Sequence, residues 1–195
     1  MPKIVDHSER KSHIAEATWR VIMNQGMKGA TVRNIAQEAG VSLGALRHYF
    51  TTQQELLAFA MNLVKDRANA RIMAIIGLDL PPKELVTRAL MEMLPLDEGT
   101  MAEMEVWFAF IFHLKNAEEK PSGLNDGIFP GICNLVGHLA EQGLLRPELD
   151  KESEAERLYA LVDGLALHAM LEPERLDKQR IIDVLNGHMN SICRE

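Results

Sequence analysis

Residues 31–50 read TVRNIAQEAGVSLGALRHYF, a helix, a three-residue turn and a second short helix. Thr31 can cap the first helix, because its hydroxyl accepts from orphan N–H groups of the opening turn. Val32, Ile35, Ala36 and Ala39 follow at helical spacing and form one apolar face. Gly40 stands where that helix must end, in the left-handed conformation that glycine adopts at no steric cost. Val41 then fills the corner and Ser42 caps the next helix, with Leu46 and Phe50 turned back to the core. Ala39 permits a close crossing of the two helices, while Gly44 and Ala45 leave the outer face low enough to approach base edges. Two short helices fixed at an angle in this way set one of them into the major groove of DNA.

Composition supports the same direction. Aromatic residues are 5% of the chain, methionine is abundant at 11, and no β-branched alternation is present, so the expected fold is all-α. At 195 residues there is enough chain for one good core, or for a core with a small appended domain. The net charge of −7 is unevenly spread. Residues 1–50 carry seven Lys/Arg against four Asp/Glu, and the remainder carries 14 against 24. A basic head on an acidic body can hold a polyanion at one end and stay soluble at the other.

Thr31, Ile35, Ala36, the Ala39-Gly40-Val41-Ser42 run, Gly44, Leu46, Tyr49-Phe50 and Leu56 together resemble the DNA-binding domain of the TetR family of one-component bacterial regulators. That resemblance runs from about residue 7 to residue 57. LRHYF at 46–50 and EVWFAFIFHLKNAEE at 105–119 look like the branch containing the betaine-synthesis repressor. The resemblance implies a three-helix helix-turn-helix domain at 1–50 and an α-helical domain at 51–195 that dimerises and binds an effector. Two departures stand out. Arg47 replaces a tyrosine common in the family, and Gln53-Gln54 replace a common Lys-Glu pair. That lysine usually helps to hold a phosphate, so one fewer cation is expected on the DNA backbone.

Helical spacing and breakers predict helices at 8–25 with Gly26 as the stop, at 52–76, 82–94, 100–119, 124–142, 152–171 and 177–192. Thr52 and Glu55 have the spacing of a capping box at the head of the long helix. The segment 106–112, VWFAFIF, is apolar on every side and is expected to be buried all round.

The DNA-facing candidates are Thr31, Arg33, Ser42, Leu43, Gly44, Ala45, Arg47, His48 and Tyr49. Thr31, Ser42, His48 and Tyr49 suit phosphates, Arg33 supplies charge, and residues 43–45 lie nearest the bases. Arg47 can read a guanine, pair with a phosphate, or stand solvated. An effector cavity, implied mainly by the resemblance, would be lined by Met91, Met104, Trp107, Phe108, Ile111 and Phe129; core packing is the ordinary reading of each. In the betaine-like case a cation would sit over Trp107 or a phenylalanine. Glu103 or Glu105 would then offset its charge, although on spacing alone those acids belong to a solvated face.

Dimer contacts are expected from Leu135, Leu139, Leu158, Val162, Gly164, Leu165 and Ala169, because the helix around Gly164 is apolar on more than one side. Neither cofactor nor metal is expected: His113, His138, His168 and His188 lack metal-binding or catalytic spacing. Cys133 and Cys193 lack it too and read as buried or idle thiols. The opening MPKIVDHSER has no apolar core segment and no apolar run reaches the ~20 residues of a membrane span, so a cytoplasmic location is expected. The expected function is a homodimeric repressor that binds a pseudo-palindromic double-stranded operator and is released by a small-molecule effector. The alternatives are an activator of the same architecture, or a helical enzyme with an incidental helix-turn-helix.

Overall fold

The computed structural model describes residues 7–115 and 127–194. Among these the helices are α1 (His7–Gly29), α2 (Val32–Glu38), α3 (Leu43–Tyr49), α4 (Gln53–Ile76), α5 (Pro82–Met91), α6 (Glu98–Lys115), α7 (Ile128–Glu141), α8 (Lys151–Leu171) and α9 (Lys178–Ile192). One isolated antiparallel bridge joins Leu145 to Cys193. No described helix is long and apolar enough to cross a membrane.

Local chemistry sets most of these boundaries. Thr31, Ser42, Thr52, Asp150 and Asp177 each accept a backbone N–H three residues on, at 2.8–3.2 Å. Each such cap is worth about 1 kcal/mol. The Thr52 box closes one residue earlier than its spacing suggests. The Glu55 carboxylate accepts from the hydroxyl and N–H of Thr51, which hold its carboxyl below the usual carboxylate range. Gly26, with φ 67° and ψ 178°, interrupts α1 where the stop is expected.

Helix α5 stops at Met91 rather than at 94, because Met93 N–H and Leu94 N–H turn to the carbonyls three residues back, Leu90 and Met91, in tight turns that lead into Pro95. Helix α6 starts two residues early because Asp97 and Thr100 cap each other. Thr100 N–H donates to Asp97 Oδ1 at 2.8 Å, and Asp97 N–H donates to Thr100 Oγ1 at 3.1 Å. The expected helical segments 116–119 and 124–126 lie outside the described residues.

The chain forms two packed units. One comprises the residues up to Arg67 together with the part of α6 from Glu105; the other takes Ala68–Met104 and the described residues from 127 onward. In the first unit, Ile14, Trp19 and Ile22 of α1, Ile35 and Ala36 of α2, Leu46 of α3, and Leu56, Ala60 and Met61 of α4 are buried. Trp19 Nε1 donates to the Ala60 carbonyl at 3.0 Å. On the outer side of that ring, the Arg67 guanidinium lies 4.8 Å from the Trp19 centroid and pairs with Glu16. A buried indole N–H without a partner is costly, so this bond fixes where α1 meets α4.

In the second unit α7 packs along α8, and α5 and α9 close over them. Val86, Leu90, Ile132, Leu139, Leu158, Val162, Ile181 and Leu185 supply buried apolar bulk. Arg71 on α4 reaches Glu92 at 3.1 Å and Glu103 on α6 at 2.8 Å. Glu103 is only 8% exposed, so the guanidinium supplies the charge it needs to be buried there.

Candidate nucleic-acid interface

The angle between α2 and α3 is set by backbone hydrogen bonds at their turn. Gly40 N–H donates to the Gln37 carbonyl at 3.1 Å and Val41 N–H to the Ala36 carbonyl at 3.0 Å. This paired arrangement requires a left-handed residue between them, and Gly40 has φ 64°. From below, His13 Nε2 contacts the Ala39 carbonyl oxygen at 3.1 Å, and Leu46 and Phe50 anchor α3 in the core.

What remains on the outside is the set of residues expected to meet DNA. Thr31, Arg33, Ser42, Leu43, Gly44, Ala45, Arg47 and His48 are exposed, and Tyr49 is half-buried. Among the described residues neither Arg33 nor Arg47 makes an ion pair, whereas two acids of this unit are already committed: Glu38 to Arg20 at 2.6 Å, and Glu16 to Arg67. Neither arginine is engaged by an acid among the described residues, so both are available to an outside anion.

Three further residues brace this surface, and sequence reasoning missed two of them, His7 and Asn34. The His7 ring packs against Tyr49 at 4.6 Å and edge-on to His48 at 6.0 Å, which limits the freedom of both side chains. Gln53 Nε2 donates to the Ala30 carbonyl at 2.7 Å, tying the start of α4 to the turn before Thr31. Asn34 Nδ2 donates to the Gly29 carbonyl at 2.9 Å and secures the other side of that turn. Where a lysine would reach for a phosphate, this chain has an amide that braces its own backbone.

The expected effector residues fall into two groups. Trp107, Phe108 and Ile111 belong to the first unit; Met91, Met104 and Phe129 belong to the second. Trp107 is buried, with the Lys65 ammonium 5.5 Å from its centroid, so the ring already has a cation of the chain itself over it. Glu103 is neither solvated nor unpaired, being bound to Arg71. The segment 106–112 is not buried all round: Val106, Trp107 and Phe110 are, while Phe112 is 50% exposed and stacks on Phe108 at 6.1 Å. Phe129 meets Tyr159 at 5.5 Å.

Most of the residues expected at a dimer contact are taken up inside the protomer. Leu135, Leu139, Leu158, Val162, Leu165 and Ala169 are buried in their own chain, because the α7–α8 packing takes their side chains. Of the seven, Gly164 alone is half-buried. On the outer side of α8, Ala160, Gly164, Leu167 and Leu171 form an apolar strip at helical intervals beside the exposed Glu156, Arg157 and His168, and Leu171 is 66% exposed.

Comparison with known proteins agrees with this geometry. Residues 14–59 match the family described as bacterial regulatory proteins, tetR family, and residues 82–194 match the BetI-type transcriptional repressor C-terminal family. The chain is 57% identical over 195 residues to the HTH-type transcriptional regulator PksA of Bacillus subtilis, covering 100% of this chain and 95% of that one. A solved transcriptional regulator from a Rhodococcus species superposes with a TM-score of 0.80 at 31% identity, covering 93% and 95% of the two chains. A regulator from Saccharomonospora viridis, solved in complex with choline, has a TM-score of 0.84 at 23% identity over 96% of this chain and 100% of that one. These relatives are regulators of transcription and not enzymes, and with them this chain belongs to the TetR family of DNA-binding transcriptional regulators.

Proposed function

We propose that this regulator is a cytoplasmic, homodimeric repressor. Residues 1–50 bind a pseudo-palindromic operator, and residues 51–195 dimerise and receive a small molecule whose binding releases the DNA. The observation that carries the DNA-binding part is the joint exposure of Thr31, Arg33, Ser42, Arg47 and His48 on two capped helices, with Arg33 and Arg47 unpaired among the described residues. Hydroxyl, imidazole and guanidinium groups of this kind position a protein on phosphates.

Support for a sensing body comes from the BetI-type match over 82–194 and from the choline found in the Saccharomonospora viridis regulator of the same fold. Within the second unit, Met91, Met104 and Phe129 are the side chains assigned to the effector. Trp107, Phe108 and Ile111 keep that assignment only if Lys65 yields the indole face. The dimer contact is assigned to the outward face of α8 around Gly164.

Footprinting of the purified full chain on the DNA upstream of its own gene tests the operator reading. The expected result is a protected two-fold repeat, with log affinity falling linearly as log salt rises. Each phosphate contact contributes about 0.9 to that slope, so Arg33→Ala, present twice in a dimer, should flatten it by roughly 2. A transcript that rises when the gene is deleted marks a repressor; one that falls marks an activator.

A further inference from the structure

We infer that the operator half-site is read at the start of α3 through thymine methyl groups, with Leu43 and Ala45 as specificity-determining residues. The inference rests on the reading of α2 and α3 as the DNA-binding face and extends it to the chemistry of the bases.

In this unit the large apolar side chains of the helix-turn-helix are otherwise withdrawn: Ile35, Leu46 and Phe50 are buried. Leu43 is the exception at 39% exposed, and the next two positions, Gly44 and Ala45, are exposed as well. None of the three side chains can donate or accept a hydrogen bond. The nearest polar side chain, Ser42, accepts from Ala45 N–H at 3.1 Å and has its O–H left to donate, the group assigned above to a phosphate. The first turn of a recognition helix is the part that meets base edges. A surface of leucine and alanine there cannot read donor and acceptor patterns.

The major groove offers one apolar feature in ordinary DNA, the C5 methyl of thymine. One helical turn later the same faces carry Arg47 and His48, both exposed, so the polar contacts sit beyond the apolar tip. Gly44, with no side chain, leaves room for a partner to come close to this turn. Its backbone is helical, and a Cβ built on it would meet only Ser42 Oγ, at 3.9 Å. The fold itself has no use for a glycine at that position, whereas a surface approached closely from outside does.

The test uses the full-length protein. Bound sequences are selected from a random duplex pool, and each thymine of the recovered half-site is then replaced by uracil, which removes the C5 methyl and keeps the hydrogen-bonding edge. At one or two thymines the affinity should drop about fourfold per methyl, and roughly fifteenfold when both half-sites are changed. In Leu43→Ala or Ala45→Ser protein, with folding verified by circular dichroism, the penalty at the corresponding thymine should shrink while the others persist. A half-site without thymine, uracil substitutions without effect, or penalties unchanged in both variants would each overturn the inference and leave the operator reading standing. Recovery of no preferred sequence would overturn the operator reading, and the inference with it.

Discussion

A glycine in a helix weakens it by up to about 1 kcal/mol relative to alanine, and Gly44 has no neighbour in its own chain that repays this. Gly44→Ala should therefore melt at the same temperature as the native chain or higher. Operator affinity should nevertheless fall on the order of tenfold, equivalent to about 1.4 kcal/mol. Parallel thermal melts and gel shifts check this, and unchanged binding would show that α3 does not approach DNA along that face. Gly40 is the opposite case, since its φ of 64° is required by the turn itself. Both glycines and the caps at Thr31 and Ser42 were readable from the sequence, because the partners in a cap or a turn lie within five positions. Gln53 with Ala30 and His13 with Ala39 were not, being 23 and 26 positions apart. Their bonds depend on where α4 and α1 lie after folding, and nothing in local spacing encodes that.

Between elements, the clearest pH-sensitive contact is on α9, where His188 faces α8. Its Nε2 is buried and meets no hydrogen-bond partner among the described residues. Burial, the largest influence, pushes the imidazole below its ordinary value, the buried Glu154 pulls it back up, and Arg157 adds to the lowering. The folded chain thus refuses a proton that the unfolded chain takes up near pH 6.5. Stability from this group is full above that pH and is lost as pH falls toward the lower folded-state value. His188→Asn should flatten the loss, read as the urea midpoint between pH 7.5 and 5. An identical slope in the variant would assign the pH dependence to other groups. At this scale periodicity identified the apolar faces but not what covers them. The buried leucines of α7 and α8 have the same spacing whether they face a sister helix or a second subunit. In α6, likewise, a continuous apolar run did not reveal that Phe112 points outward.

For the whole molecule, the charge split explains how a chain of net charge −7 can hold DNA, but one head of seven cations gives little affinity or selectivity alone. A palindromic operator needs two heads at a fixed spacing, about 34 Å or one helical turn apart. In the dimer proposed above, a contact in the helical body sets that spacing. Along the outward side of α8, Ala160 and Gly164 leave a shallow apolar strip that continues into the half-buried Leu167 and the exposed Leu171. A Cβ at Gly164 would meet nothing within 4 Å in its own chain, so this glycine, like Gly44, has no use inside the protomer. Gly164→Arg separates the two roles. Arginine favours helix over glycine by about 0.8 kcal/mol and has room to point outward, so the variant should keep its helical content and melt no lower than the native protomer. In a dimer the two guanidinium groups would have to be buried without partners, and association should fail. The expected result at micromolar concentration is a monomer in sedimentation velocity, with operator binding reduced to the weak, salt-sensitive level of a single head. A variant that still sediments as a dimer, or a native chain that is monomeric under the same conditions, would remove α8 as the interface and require the spacing of the two heads to be set elsewhere.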